Sequence, residues 1–211
     1  MNVLRTDDQK GIDSAMQITS LTLGPLGTNC YIVSADDSSE AVVIDPGGNA
    51  ERIQAALGGR RVAAVLLTHG HFDHTGALSA FVDSPIYIHP LDAPMLSDPH
   101  LSVADLVHDR QPRPAATGFV EEGAVLSLAG LDIHVLHTPG HTPGSVTYRI
   151  GDALFTGDTM FQGSYGRTDF PGGSWEQEMK SIRKLLALPE DHPVYPGHGP
   201  QTTLAAEKPF Y

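Results

Sequence analysis

The chain is short of cysteine, of cationic side chains and of long apolar runs. Its single cysteine, Cys30, excludes an internal disulfide and makes a reducing compartment the default residence. Lys and Arg number 13 against 25 Asp and Glu, a formal net charge of −12, which argues against a surface built for nucleic acid. No apolar stretch approaches the roughly 20 residues that span a bilayer, and no basic-then-apolar export pattern opens the chain. The expectation is a cytoplasmic protein with neither nucleic acid nor membrane as partner. No Ser-His-Asp or Cys-His arrangement suggests a covalent route to catalysis. The length of 211 residues suits one compact domain. Residues 1–15 are polar and aperiodic, so a flexible segment is expected there, ahead of a domain over 16–211.

What the chain does have is clustered histidine. Thr68-His69-Gly70-His71-Phe72-Asp73-His74 follows an apolar run at 62–67 that reads as a buried strand, and from Gly76 onward the pattern reads as a helix. Four imidazole and carboxylate groups thus fall on one strand-to-helix turn, where their burial would be costly without a compensating cation. Such groups are ligands for zinc, iron or manganese. His69 and His71, two apart in extended backbone, face the same way and can chelate one ion. Asp73 and His74 are placed for a second.

One loop cannot complete two coordination shells. Three further candidates each end an apolar run beside Gly or Pro: His141 in Pro139-Gly140-His141-Thr142-Pro143-Gly144, Asp158 in Thr156-Gly157-Asp158, and His198 in Pro196-Gly197-His198-Gly199-Pro200. Each is a weak signal alone; together they repeat one design of strand end, tight turn and ligand.

The ordered set HxHxDH, His, Asp, His resembles the metallo-β-lactamase fold superfamily, over a match from about residue 17 onward. Asn29-Cys30-Tyr31, Val43-Ile44-Asp45-Pro46-Gly47 and Gly166-Arg167-Thr168-Asp169-Phe170 add to the likeness. The last segment is similar to the glyoxalase II and persulfide dioxygenase branches. The PGHGP ending and short length look most like small, single-domain glyoxalase II-like hydrolases. The resemblance implies an α/β fold, an αββα four-layer sandwich of two packed mixed sheets flanked by helices. It implies two divalent metal ions, zinc foremost, with iron or manganese as alternatives. His69, His71 and His141 would hold the first ion, and Asp73, His74 and His198 the second, with Asp158 bridging. Metallo-β-lactamases of the best-known type carry cysteine where this chain has Asp158, so antibiotic hydrolysis is not the leading expectation.

The implied activity is hydrolysis of a thioester, hydroxyacyl-glutathione or a related acyl-thiol, by a hydroxide bridging the two ions. Asp73 would bind metal and aim the hydroxide, and a thiolate leaves readily without a strong acid. Larger glyoxalase II enzymes resembling this chain use an added C-terminal helical domain for glutathione, and with the sequence running only to Tyr211 no such domain is expected after His198. Tyr165 and Arg167 are therefore the candidate substrate contacts. Arg167 has a competing structural reading as the partner of Asp169. Asp45, ending a strand, is expected to orient one ligand histidine through its other ring N–H. The alternative activity is a mononuclear-iron persulfide dioxygenase using His69, His141 and Asp158; a lactonase or another hydrolase of the same fold is a further one.

The remaining histidines have plainer readings. His134 and His192 are structural or solvated, His100 and His108 could border the mouth, and His137 supports the His141 turn. Cys30 is core packing. Strands are expected at 17–23, 30–34, 41–45, 62–67 and 86–89, then at 124–128, 131–136, 146–150, 153–156 and 194–195. A helix fits 49–57, ended by Gly58-Gly59. Ser174-Trp175-Glu176-Gln177 reads as a capping box opening another, with Met179, Ile182, Leu185 and Leu186 on one face. The Pro-rich stretch 111–118 is expected to join the two halves.

Overall fold

The computed structural model describes residues 16–211; the expectation for 1–15 lies outside the described residues. In the first half, β1 (Met16–Leu23), β2 (Thr28–Ala35), β3 (Glu40–Ile44), β4 (Arg61–Leu66), β5 (Ile86–Ile88) and β6 (Gly118–Phe119) form a six-stranded sheet in chain order. Its first two pairings are antiparallel and the rest parallel. In the second half, β7 (Val125–Leu128), β8 (Leu131–His137), β9 (Val146–Ile150), β10 (Ala153–Gly157), β11 (Pro193–Pro196) and β12 (Thr202–Thr203) form another six-stranded sheet, again in chain order. Here β10–β11 alone is parallel. Among the described residues four α-helices accompany the sheets: α1 (Ala50–Leu57), α2 (Phe72–Thr75), α3 (Trp175–Leu186) and α4 (Leu204–Glu207). A parallel pair needs a crossover, and α1 and α3 supply it for β3–β4 and β10–β11.

The two-residue period of a strand sorts the core into layers. On β2, Tyr31 and Val33 face the second sheet, meeting Val135, Tyr148 and Phe155. Cys30 and Ile32 face outward under Ile53 and Leu57 of α1, which is where the lone cysteine packs. On the far side, Ile182 and Leu185 of α3 cover Leu154 and Val194. The result is the expected four layers, helix on sheet on sheet on helix.

Three local expectations are corrected. The helix does not start at Gly76. It is the single turn α2, beginning at Phe72, followed by a separate 3-10 turn at Leu78–Phe81. The ladder breaks because the Ala77 N–H donates to Pro46 O at 2.8 Å, leaving the helix. The Pro-rich stretch does not join the halves but lies over α2, where Arg113 donates to Phe72 O at 3.1 Å and to Thr75 Oγ1 at 2.6 Å. It then feeds β6, and the crossing between sheets falls at 120–124. Finally, the capping box is half formed. Ser174 Oγ accepts from Gln177 N, while the Ser174 N–H is taken by Gly140 O at 2.7 Å instead of by the Gln177 side chain. α3 is thereby tied to the His141 turn.

Candidate metal centre

The site forms where strand ends of both sheets meet. β4 ends at Leu66 and the chain passes through a bend at Thr68, then His69, to His71, whose extended backbone, ψ 151°, hands over to α2 carrying Asp73 and His74. His141 lies on the turn between β8 and β9, Asp158 follows β10, and His198 follows β11. The structure brings all seven together. Ligand atoms of His69, His71 and His141 lie within 4.8 Å of one another, as do those of Asp73, His74 and His198, and those of His69, His74 and Asp158. His71 Nδ1 and His141 Nε2 are 2.8 Å apart. His198 Nε2 is 3.1 Å and His74 Nε2 3.6 Å from Asp73 Oδ2. Asp158 reaches into both groups: Oδ1 is 3.2 Å from His74 Nε2, and Oδ2 is 3.4 Å from His141 Nε2 and 3.6 Å from His198 Nε2.

These groups suit a pair of cations better than they suit one another. His69 Nε2, His71 Nε2, His74 Nε2 and Asp158 Oδ1 are buried without a hydrogen-bond partner. Buried polar atoms are rarely left so. A cation shared by lone pairs that converge would satisfy those of His69, His74 and Asp158. The rings are also oriented from behind. His69 Nδ1 is 3.1 Å from Thr68 Oγ1, His74 Nδ1 is 2.9 Å from Asp45 Oδ2, and His141 Nδ1 is 2.7 Å from Arg167 O. Each contact draws the ring proton to Nδ1 and leaves Nε2 free to coordinate.

Electrostatics divides the two groups. Burial, with the neighbouring imidazoles, holds His69 well below its usual range and His71 at about 3, and burial also lowers His141. These rings are neutral at pH 7, the form that ligates. Burial also acts on His74 and His198, but the carboxylates outweigh it and raise both: Asp73, Asp158 and Asp45 for His74, Asp73 and Asp158 for His198. Asp73 and Asp158 stay ionised despite burial because the histidines beside them favour the anion, Asp158 at about 2.

Asp45 lies where the sequence suggested, and it does more than face His74. It sits at φ 49°, in the left-handed region, and accepts from Thr68 N at 2.8 Å and Thr68 Oγ1 at 2.6 Å. Other supports were not read from the sequence. Buried Asp92 accepts from Gly70 N at 3.2 Å, Thr142 Oγ1 at 2.6 Å and Gly144 N at 2.7 Å, joining the two histidine turns. Glu178 of α3 is fully buried and accepts from His141 N at 2.7 Å. Thr28 Oγ1 donates to Asp73 Oδ2 at 2.8 Å. Gly197 backs the second group so closely that a Cβ there would come within 2.2 Å of Asp158 Oδ1.

A cleft of about 320 Å³ opens onto the site, with Arg167 in its lining. The Arg167 guanidinium is engaged by Asp169, at 2.6 and 2.7 Å, and lies 4.0 Å over the Phe170 ring. Tyr165 is not brought to the cleft. It packs in the α3 cluster, its ring 6.2 Å from Tyr211. Gly166 takes the inward place, its N–H on Asp158 O at 2.9 Å, so its neighbour turns away. His100 and His108 are exposed and do not line the cleft. His137 stacks on His89 at 4.3 Å and meets Pro143 O at 3.0 Å, which does support the His141 turn. His192 is buried on Asp152 O at 2.7 Å, and half-buried His134 pairs across strands with Arg149.

Comparison with known proteins gives the same architecture. The model of the metallo-β-lactamase superfamily matches residues 23–198. The crystal structure of BLEG-1 B3 metallo-β-lactamase is 39% identical with a TM-score of 0.87, over 92% of this chain and 97% of that one. TTHA1623 in a di-iron-bound form is 40% identical with a TM-score of 0.80, over 90% and 96%. Hydroxyacylglutathione hydrolase GloC of Haemophilus influenzae is 36% identical, over 92% of this chain and 95% of the relative. The matched residues include strands of both sheets and every residue of the histidine and aspartate cluster: the chain belongs to the metallo-β-lactamase superfamily.

Proposed function

We propose that the chain is a binuclear metallohydrolase of thioesters, acting on hydroxyacyl-glutathione or a related acyl-thiol. The observation that carries this is Asp158, whose carboxylate reaches ring nitrogens of both triads and would be shared between two ions. His69, His71 and His141 would hold one ion, and Asp73, His74 and His198 the other. The likeness to GloC supports the acyl-thiol class. Zinc is the proposed metal; iron and manganese suit the same donors, and TTHA1623 binds iron. When bound, such ions supply hydroxide at neutral pH and polarise a carbonyl.

The chain's own groups do the rest. Asp73, kept anionic by His74, His198 and Thr28, can accept a hydrogen bond that aims the attacking group, beside the cleft. Asp45, Thr68 and the Arg167 carbonyl engage Nδ1 of each ring and so turn Nε2 inward. A thiolate leaving group, with a pKa of about 8.5, departs without a strong acid. The persulfide dioxygenase reading would use His69, His141 and Asp158 alone and gives no work to Asp73, His74 and His198. The lactone or lactam reading draws on the likeness to BLEG-1, since hydroxide attack opens any accessible strained acyl bond.

The test is elemental analysis of protein purified without added metal and away from oxygen, followed by a thioester assay. Two ions per chain with thioester turnover is the expected result. One iron, with oxygen uptake on glutathione persulfide, would overturn it.

A further inference from the structure

We propose that the cleft selects its substrate by an aliphatic acyl chain, which it seats on an apolar floor and mouth. The choice of reacting bond rests on the thioester reading; the chain recognition rests on the cleft itself. Its floor is made by Phe72, Val103 and Phe170, which pack together over buried Ala104, and the Phe170 ring lies 5.7 Å from His71. Its mouth carries Leu26, Leu106 and Val107, which are 53%, 69% and 50% exposed. One exposed aliphatic residue is ordinary, but several around one opening that leads to an apolar floor make a binding surface.

The backbone presents these side chains. Leu106 and Val107 sit on a 3-10 turn, Ala104–Val107, bracketed by Val103 and His108, both at φ 54°. A β-branched residue in the left-handed region is strained, and such strain collects at ligand-holding segments. Val103 is buried on the cleft floor and anchors the turn, so the following Leu106 and Val107 are held out over the mouth. Across the opening, Leu26 is carried by the β1–β2 turn between Gly24 at φ 67° and Gly27 at φ 68°. Charge points the same way. The guanidinium that lines the cleft, Arg167, is already neutralised by Asp169. The walls therefore favour a neutral, apolar chain over one bearing carboxylates.

The experiment titrates straight-chain carboxylates of rising length, the products of the proposed hydrolysis, into the metal-loaded protein by calorimetry. Hydrolysis of matching acyl thioesters of a small neutral thiol is measured alongside. Kd is expected to fall about threefold or more per methylene, in line with ~0.8 kcal/mol per buried CH₂, until the cleft is full. Leu26→Ser and Leu106→Ser, at exposed positions, are expected to flatten that slope. Val82→Ser, exposed but outside the cleft lining, is expected to leave it intact. A wild-type Kd that ignores chain length would overturn the proposal. A length-dependent Kd that Leu106→Ser flattens, with no thioester turned over, would uphold chain recognition and remove the thioester reading instead.

Discussion

Asp45 shows how much one buried carboxylate does at this site. It holds the β4-end turn through Thr68 and the His74 ring through Nδ1. Asp45→Asn keeps the shape but can turn a donor toward His74, so the ring loses its enforced tautomer. Affinity for the second ion is expected to drop about 10- to 100-fold, read as ions retained per chain after dialysis against a mild chelator. Glu178 makes a different prediction. Burial pushes its carboxyl up to about 9, with the Asp158 charge adding to the effect. In the unfolded chain a glutamate titrates near ~4.3. Between those two values the folded state alone keeps the proton, so stability falls as pH rises. Glu178→Gln, which mimics the protonated form, should melt alongside the wild type near pH 4. It should gain by ~1 kcal/mol or more by pH 9, in metal-free protein followed by thermal melts. The sequence hid Glu178 because its partner, His141, is 37 positions away, and a glutamate in a helix reads as solvated. Asp92 was hidden for the same reason, its partners lying 22 to 52 positions off. The ligands were legible because the dense HxHxDH turn announces itself, and each of the others closes an apolar run beside Gly or Pro.

Among the elements, α2 depends most on its surroundings. A single helical turn is not stable alone, and α2 is held by Arg113 and by the β3–α1 turn. Gly47 lies so close that a Cβ would stand 2.0 Å from Asp73 O. Gly47→Ala must displace either α2 or that turn. Denaturant melts are expected to show a loss of about 2 kcal/mol or more, together with loss of the second ion. Ser174→Ala is the contrasting case, removing the side-chain cap while keeping the backbone N–H that holds the His141 turn. It is expected to lower stability by about 1 kcal/mol with the metal content unchanged. Strand periodicity gave most elements to within a residue or two, since β2 and β4 pack on both faces and their apolar runs are continuous. The two-residue strands β6 and β12 carry too little pattern to be seen. The helix at Gly76 was misplaced because a tertiary hydrogen bond, Ala77 N–H to Pro46 O, overrides the local pattern.

For the molecule as a whole, the two triads should part company on acidification. His74 and His198 are raised, while His69, His71 and His141 are lowered. Protons therefore compete with metal at the second triad at higher pH than at the first. Metal content measured across equilibration from pH 8 to about 5 should fall from two ions to one before it falls to none. Simultaneous loss of both would contradict this order. Each triad, moreover, takes two members from the segment that follows β4, the second pair on α2, and one from a loop of the second sheet. Neither half of the chain can close a coordination shell alone. During synthesis, the early residues emerge with only part of each set, and His198 arrives after the penultimate strand. Ion capture is thus a late event that only a correctly docked pair of sheets can complete, and a loaded centre works as a rivet whose presence certifies that the two halves have met in register.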